Sequence, residues 1–218
     1  MSTNSPSKDY VFSSDANGKL SFKGDFDEYY KHEHDPWDQS ATGESSEYYL
    51  SSRNRLAKLI RAKKPSQVLE IGCGLGYACA HFNSQYVSNY SGWDISEEAI
   101  RKAKEKFPSF TFNRCDITTP LTSTKKYDVV ILNQLLWYIL PQIDQVMDNC
   151  SRLLSDNGLL IVANAFAREQ KYGVEFIDGF GGAFNYFNLS KHQVKLIQCE
   201  YNDEGFRNLD GVFIFNKK

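Results

Sequence analysis

One stretch of the sequence decides the fold, and it reads Val68-Leu69-Glu70-Ile71-Gly72-Cys73-Gly74-Leu75-Gly76. An apolar run with the length of a buried strand leads directly into closely spaced glycines, and a helical pattern follows from Tyr77. Because glycine has no Cβ, the chain can turn sharply there and let a ligand lie against the backbone. Open α/β sheets bind ligands at the carboxyl ends of their strands, so the stretch predicts a cofactor site.

Short apolar runs alternate with helical patterns after this stretch. The predicted strands are residues 68–71, 90–93, 110–112, 127–132 and 159–163, and the predicted helices are 47–62, 77–82, 96–106 (capped by Ser96) and 142–154. Such alternation predicts a parallel sheet with helices on both faces. Residues 194–201 and 211–215 are separated only by a short polar loop, which allows a hairpin but no helical crossover. We therefore predict an α/β fold with a mostly parallel sheet and an antiparallel C-terminal strand pair.

The bulk composition is that of one ordinary globular domain, since 41% of the 218 residues are hydrophobic and 24% are charged. Residues 1–23 are polar and predict a disordered tail; residues 24–218 then form the domain, with an N-terminal flap over 24–62. The sequence shows no secretory signal and no membrane-spanning run, which predicts a cytoplasmic protein. Five scattered cysteines and a net charge of −2 favour neither a zinc site nor a nucleic-acid partner.

The glycine spacing and three acidic residues indicate which cofactor binds. The glycines follow GxGxG, whereas the dinucleotide fingerprint is GxGxxG, and this counts against NAD. Glu70 is placed to hold the glycine loop and the ammonium of a bound amino acid. Asp94 ends the second strand, where a carboxylate can accept both ribose hydroxyls. Ile95 offers an apolar face to an adenine, and Asp116 can accept from its amino group.

These features together resemble the class I S-adenosylmethionine-dependent methyltransferases. The resemblance covers residues 68–163 and rests on the E-x-G-x-G-x-G strand end, the G-x-D-I-S strand end and the segment Cys115-Asp116-Ile117. It implies a Rossmann-like, seven-stranded fold, S-adenosylmethionine as cofactor and S-adenosylhomocysteine as product. The cofactor contacts that it implies are Glu70, Gly72, Cys73, Gly74, Asp94, Ile95, Cys115, Asp116, Ile117, Asn133 and Gln134.

A narrower similarity involves the flanking segments Gly24-Asp25-Phe26, Asp35-Pro36-Trp37, Tyr48-Tyr49 with Arg53, and Asn133-Gln134-Leu135-Leu136-Trp137-Tyr138. They are similar to nodulation-type N-methyltransferases and to bacterial methyltransferases of saccharide and natural-product pathways. The similarity implies that the N-terminal segment folds over the cofactor, that Trp37 and Tyr49 line its pocket, and that Arg53 pairs with the methionine carboxylate. The alternative is that Trp37 packs on the core and Arg53 is a solvated helix residue.

The acceptor side of the site is less well defined by the sequence. Enzymes that methylate planar amines carry N-P-P-[YF] where this chain has Asn133-Gln134-Leu135-Leu136, which disfavours base or amide methylation. We expect the backbone carbonyl of Asn133 to accept from the methionine ammonium and Gln134 to lie near the acceptor. His32 and His34 are the candidate general bases. No other ligand cluster accompanies the two histidines, so no metal site is predicted.

The sequence thus predicts an enzyme, a methyltransferase that modifies a small or medium acceptor at oxygen or nitrogen, with a sugar-containing metabolite as a candidate. Residues 166–190, rich in aromatics and glycines, are a candidate lid over the acceptor. A catalytically silent cofactor-binding protein and an aminopropyl-type transferase remain open alternatives. The acceptor and the oligomeric state, monomer or dimer, stay open.

Overall fold

The computed structural model describes residues 9–40, 42, 46–82, 87, 89–189, 191–203 and 208–218. Its strands are β1 (Phe12–Ser14), β2 (Leu20–Phe22), β3 (Gln67–Ile71), β4 (Asn89–Asp94), β5 (Thr111–Arg114), β6 (Tyr127–Asn133), β7 (Leu154–Ala167), β8 (Val194–Asn202) and β9 (Asn208–Lys217). Its helices are α1 (Phe26–His32), α2 (Ser46–Lys63), α3 (Tyr77–Phe82), α4 (Glu97–Lys106), α5 (Leu136–Ile139), α6 (Ile143–Leu153) and α7 (Gly179–Leu189).

A seven-stranded sheet in the order β5-β4-β3-β6-β7-β9-β8 forms the centre of the fold. Neighbouring strands are parallel except at β9, which runs antiparallel to β7 and β8. The predicted Rossmann-like architecture is therefore confirmed. The chain builds one half of the sheet outward from β3 to β5; it starts the other half at β6, on the opposite side of β3, and later inserts β9 between β7 and the edge strand β8. Ligands bind at such a reversal, so the carboxyl ends of β3 and β6 locate the site.

Alternating side chains of the central strands explain why helices cover both faces. Leu69 and Ile71 of β3 contribute to one apolar cluster, whereas Val68 contributes to a second cluster together with Val129 and Ile131 of β6. Successive residues of a strand point to opposite faces, so a strand that is apolar throughout must be covered on both sides. The near-continuous apolar runs in the sequence therefore correctly predicted that helices cover both faces of the sheet.

Two strand limits differ from the prediction. The strand expected over residues 159–163 extends over Leu154–Ala167, because Leu154 pairs with Tyr127 before a register shift and the pairing then continues from Leu159. The strand expected over residues 110–112 is Thr111–Arg114. Its polar end pairs through the backbone with β4, up to Asp94 opposite Arg114, and apolar patterning gives no signal for such pairing.

The N-terminal segment contradicts the predicted disordered tail over residues 9–23. Strands β1 and β2 pair in an antiparallel hairpin, and Val11 beside them is 1% exposed. The rings of Phe12 and Phe22 lie 5.1 and 6.3 Å from that of Tyr172. A few aromatic side chains thus anchor a segment whose composition is otherwise polar. Residues 1–8 lie outside the described residues.

Helix α1 of the predicted flap is held against α4 at both ends. The Oδ1 atom of Asp27 accepts from Ser96 Oγ at 2.6 Å and from the Glu98 N–H at 3.1 Å, while Lys102 Nζ donates to the carbonyl of Tyr30. The first contact caps α4 with a carboxylate, and the second places a cation at the last turn of α1. These contacts fix α1 beside the carboxyl end of the sheet.

The segment predicted as a lid contributes mainly to the core. Phe166 and Phe187 are 1% and 2% exposed and pack against Phe213, although Phe184 is 37% exposed. Ser190, the last residue of that segment, lies outside the described residues. None of the helices in the described ranges is both long and apolar enough to cross a membrane.

Candidate functional site

A cavity of about 340 Å³ opens at the carboxyl ends of β3, β4 and β6. It brings together thirteen of the fourteen residues predicted to bind the cofactor: Trp37, Tyr49, Arg53, Glu70, Gly72, Cys73, Asp94, Ile95, Cys115, Asp116, Ile117, Asn133 and Gln134. Gly74 does not line it. The site therefore combines strand ends that are distant in sequence with side chains from the segment that precedes the sheet.

The glycine loop after β3 needs glycine at two positions for separate reasons. Gly72 and Gly74 have φ angles of +75° and +51°, in the left-handed region that favours glycine. A Cβ on Gly72 would lie 2.8 Å from the Leu135 side chain, and a Cβ on Gly74 would lie 2.6 Å from the hydroxyl of Tyr30 and from Gln39 Oε1. The loop is thus packed closely between α1 and the turn after β6.

Asp94 connects the end of β4 to the glycine loop. Its Oδ2 accepts from the backbone N–H of Gly74 at 2.8 Å, and its Oδ1 accepts from the N–H of Ser96 at 2.9 Å. The side chain lines the cavity, and burial raises the pKa of Asp94 to about 6. A carboxylate has about four lone-pair sites, so these two bonds leave capacity for hydroxyl donors in the cavity.

Glu70 and Asn133 form the acidic end of the cavity. Tyr90 donates to Glu70 Oε2 at 2.5 Å, and Asn133 Nδ2 lies 3.5 Å from Glu70 Oε1. Burial raises the pKa of Glu70 to about 7, although Tyr90 and the nearby Arg53 oppose this shift. The buried Oδ1 of Asn133 has no hydrogen-bond partner among the described residues. A cationic donor such as an ammonium would satisfy that oxygen.

Arg53 supplies the basic group of the cavity and is only 6% exposed. Its Nη2 donates to the Gln39 carbonyl at 2.6 Å, whereas its buried Nε has no partner in the described part of the chain. A carboxylate would accept from that donor. The low exposure argues against a solvated helix residue. With Asn133 Oδ1 as acceptor, the site fits both charged ends of an amino acid, as the predicted cofactor requires.

The nucleoside end of the predicted site lies at the carboxyl ends of β4 and β5. Ile95 is 41% exposed and lines the cavity, so it presents an apolar face without a protein partner covering it. Asp116 Oδ1 accepts from the N–H and the hydroxyl of Thr118, which fixes the carboxylate at the cavity wall. The Cys115 N–H donates to the Asp94 carbonyl at 2.8 Å. These contacts join the two strand ends.

Several lining residues were not among the predicted site residues: Phe26, Tyr30, Gln39, Thr118, Trp137 and Tyr138. Gln39 Oε1 accepts from the Leu75 N–H at 3.1 Å and thereby reaches the glycine loop from the flap. Phe26 and Tyr30 are spaced i, i+4, which places them on one face of α1. The i, i+4 spacing could have indicated that Phe26 and Tyr30 both face the cavity, whereas no sequence pattern pointed to Gln39.

The two histidines that were predicted as general bases lie away from the cavity. His32 and His34 are exposed, and neither lines the cavity. The His32 ring stacks on Tyr10 at 5.4 Å between centroids. The cavity face of α1 carries Phe26 and Tyr30, and a residue two positions after Tyr30 projects from the opposite side of the helix.

Gln134 reaches the cavity, but protein contacts occupy its side-chain amide. Nε2 donates to the Tyr48 hydroxyl at 2.7 Å, and Oε1 accepts from the Ala165 N–H at 2.9 Å. The geometry therefore does not support a direct catalytic role for Gln134.

Trp37 satisfies both earlier interpretations, because it lines the cavity and its ring packs at 5.0 Å on that of Tyr29 and 5.6 Å on that of Tyr138. Within the described ranges no three His, Cys, Asp or Glu side chains are grouped to hold a metal.

Comparison with known sequences gives a family match over the middle of the chain. Residues 69–160 match a family model described as a methyltransferase domain. The phosphoethanolamine N-methyltransferase of Plasmodium falciparum (isolate 3D7) is 24% identical over 126 residues, which are 56% of this chain and 47% of that enzyme. This chain thus spans about half the length of that relative.

Solved structures share the fold over most of the chain. The N-methyltransferase NodS from Bradyrhizobium japonicum WM9, in complex with S-adenosylhomocysteine, is similar with a TM-score of 0.68 at 14% identity, over 88% of this chain and 97% of that chain. CalS10, an amino pentose methyltransferase from Micromonospora echinaspora with bound S-adenosylmethionine, gives 0.60 at 14% identity over 77% and 91%. Residues 69–160 of this chain are thus similar to methyltransferase domains, and the chain shares its fold with solved methyltransferases that hold S-adenosylmethionine or S-adenosylhomocysteine.

Proposed function

We propose that this protein is a cytoplasmic methyltransferase that transfers a methyl group from S-adenosylmethionine to a small or medium acceptor, at nitrogen or oxygen. The observation that carries the proposal is a pair of buried atoms without hydrogen-bond partners among the described residues, the Arg53 Nε donor and the Asn133 Oδ1 acceptor, on two residues that line one cavity. They complement the carboxylate and the ammonium that end the methionine part of the cofactor.

The other lining residues have distinct parts in this proposal. Glu70 strengthens the cation-binding end when it is ionised, and Asp94 uses its remaining acceptor capacity for the ribose hydroxyls. Ile95 packs against the adenine, and Asp116 accepts from the adenine amino group. Gly72 lines the cavity at the end of β3 and lets Leu135 pack against the loop, where a Cβ has no room.

The cofactor, when bound, supplies a methyl group on a positively charged sulfur, and that sulfur is the leaving group when an acceptor attacks the methyl carbon in line. The chain's own contribution is then alignment, which can supply much of the acceleration in such a reaction. Trp37, Tyr49 and Tyr138 enclose the cavity with aromatic rings and limit the access of water. An amine acceptor needs only to lose a proton, whereas an alcohol needs a general base in the transition state.

The relatives support nitrogen and a sugar as the first acceptors to test. The names of the three proteins compared above specify N-methylation for two and an amino pentose for the third. Aromatic rings such as Trp37 and Tyr138 can pack on the apolar face of a sugar and attract a cationic amine. We therefore place amino sugars first and simple sugar alcohols second.

A screen with purified protein and S-adenosylmethionine tests the proposal. Release of S-adenosylhomocysteine and a mass gain of one methyl group are measured for amino sugars, sugar alcohols and small amines. Turnover on any of them supports the proposal. Cofactor binding without turnover on a broad panel would instead support a silent binding protein. Preferential binding of the decarboxylated cofactor would support an aminopropyl-type transferase, for which the buried Arg53 has no use.

A further inference from the structure

Four side chains from three parts of the sequence form one continuous hydrogen-bonded chain beside the cavity. The Arg55 guanidinium pairs with Asp210, the Tyr48 hydroxyl donates to Asp210 Oδ1 at 3.0 Å, and Gln134 Nε2 donates to that hydroxyl at 2.7 Å. The Ala165 N–H completes the series by donating to Gln134 Oε1 at 2.9 Å. We call the set Arg55, Asp210, Tyr48 and Gln134 the relay.

The direction of every bond in the relay is fixed. Asp210 is 5% exposed; its Oδ1 accepts from Tyr48, and its Oδ2 forms an ion pair with Arg55. Burial raises the pKa of Tyr48, so its hydroxyl stays protonated. Its single hydrogen is used in the hydrogen bond that it donates to Asp210. The same hydroxyl can then only accept from Gln134, which must present its amide nitrogen to Tyr48 and its amide oxygen to Ala165. The orientations of Tyr48 and Gln134 are therefore fixed by these contacts.

The relay holds a strained turn at the end of β6. Gln134 has a φ of +58°, a left-handed conformation that is costly for a residue with a side chain. Its N–H donates to the Ala163 carbonyl at 2.7 Å, so the residue is held through both its backbone and its amide. The turn presses Leu135 against Gly72 and places Asn133 at the cavity. Strain of this kind persists only where surrounding contacts enforce it.

The other end of the relay lies on α2. Tyr48 and Arg55 are both residues of this helix, and Tyr49 and Arg53, which face the cavity, lie between them. Tyr48 contacts Asp210 of β9 and Gln134 after β6, and Arg55 contacts Asp210. These contacts fix the position of α2 relative to β9 and the end of β6. The relay therefore connects the element that carries Arg53 to the element that carries Asn133.

We propose that the relay is a positioning device that sets the distance between Arg53 and Asn133, and so matches the cavity to the amino-acid part of the cofactor. This inference rests on the proposed function. Its members act through Arg53 and Asn133 and are positioning residues. The nucleoside contacts of Asp94 and Ile95 lie on β4 and the residue after it, outside the relay, and should not depend on it.

The test compares two ligands by calorimetry: S-adenosylhomocysteine, and 5′-methylthioadenosine, which lacks the amino-acid part. In Tyr48→Phe we expect affinity for S-adenosylhomocysteine to fall about tenfold, while affinity for methylthioadenosine stays within about twofold. Gln134→Met should act in the same direction, and the double variant should be little worse than either single one, because both remove the same connection. The matched control is Tyr186→Phe, which removes a tyrosine–aspartate bond of 2.5 Å to Asp144, outside the cavity lining.

The outcomes separate this inference from the proposed function. Selective loss of S-adenosylhomocysteine affinity in Tyr48→Phe and Gln134→Met, absent in Tyr186→Phe, would support the relay. Unchanged affinity, or an equal loss for both ligands that parallels a lower melting temperature, would show a merely structural network and overturn the inference. If the unmodified protein binds neither ligand, the proposed function itself fails and the relay inference fails with it.

Discussion

The Oδ2 atom of Asp94 accepts a hydrogen bond from the backbone N–H of Gly74 at 2.8 Å. The two residues are the end of one strand and the loop after its neighbour, so this bond holds the predicted ribose site and the glycine loop in one geometry. The sequence pointed only to a ribose-binding role for Asp94. The structure adds a second role, which makes the residue more important for binding than either role would separately.

Replacement of Asp94 by alanine should weaken binding of S-adenosylhomocysteine by at least roughly 1.5 kcal/mol, which is about tenfold, because a bond to a charged group and the loop contact are both lost. Calorimetric titration measures the change. Asp128→Ala is the matched control, since Asp128 Oδ2 also accepts from backbone N–H groups, of Ser66 and Gln67, but lies at the start of β6. Equal affinity of the Asp94→Ala and unmodified proteins would remove Asp94 from the site.

Gly74 gives a test of how the loop is packed. We expect Gly74→Val to weaken S-adenosylhomocysteine binding by at least about tenfold, because the new side chain strains the backbone and displaces Tyr30 and Gln39. This mechanism replaces the expectation that the side chain would meet the ligand directly. Gly18→Val, at a φ of +76° with nothing within 4 Å, is the control for backbone strain alone. Similar affinities in the two variants would argue against the packing explanation.

Arg53 distinguishes a ligand with a carboxylate from one without. Arg53→Met keeps much of the apolar stem and removes the charged donors, so affinity for S-adenosylhomocysteine should fall roughly ten- to a hundredfold, with methylthioadenosine affected little. Arg61→Met, an exposed position near the end of the same helix, is the control. Competition titrations with both ligands provide the measurement. A comparable loss for the two ligands would mean that Arg53 supports the fold and does not bind a carboxylate.

The pKa of Glu70, raised by burial to about 7, makes ligand binding depend on pH. An ammonium near Asn133 favours the ionised carboxylate, so binding should release a proton below about pH 7, and affinity should fall as the pH drops from about 7 to about 5. Titrations in buffers with different heats of ionisation detect that proton. In Glu70→Gln the affinity should be lower, and its change near pH 7 should disappear. A residual slope from Asp94, whose pKa is about 6, should remain. An unchanged profile would exclude Glu70.

The same residue should show a conflict between binding and stability. Because its pKa in the folded protein lies above the ordinary value of 4.5, ionisation of Glu70 removes stability as the pH rises from about 4.5 to about 7. The full cost, on the order of 3 kcal/mol, applies above that range. Glu70→Gln should therefore melt at a higher temperature than the unmodified protein at about pH 8 and show no gain at about pH 4. A lower melting temperature at both values would contradict this account.

The sequence contained the central sheet and the cofactor side of the site because the relevant signals are local. The apolar run before Gly72 defines β3, and the predicted cap Ser96 is confirmed, since its Oγ accepts from the Ala99 N–H at 3.1 Å. Glu70 and Asp94 were recognisable because each ends a strand whose position the apolar pattern gave. Once the order of the strands is predicted, residues that end parallel strands can be placed together at one edge of the sheet.

The remainder of the site depends on contacts between distant segments. Tyr48 and Gln134 are 86 residues apart in sequence, and no pattern in either segment predicts their hydrogen bond. The position of His32 away from the cavity could not be predicted, because the sequence indicated a flap without showing which face of α1 turns inward. The hairpin of β1 and β2 was missed because composition averages over the few aromatic side chains that anchor it.

Calorimetric titration of the purified protein with S-adenosylhomocysteine, beside NAD, tests the central claim most directly. The arrangement of Arg53, Asn133 and Asp94 around one cavity predicts micromolar binding of S-adenosylhomocysteine and no binding of NAD. Absence of S-adenosylhomocysteine binding, or a preference for NAD, would contradict the account and leave a Rossmann-like fold whose cavity serves another ligand.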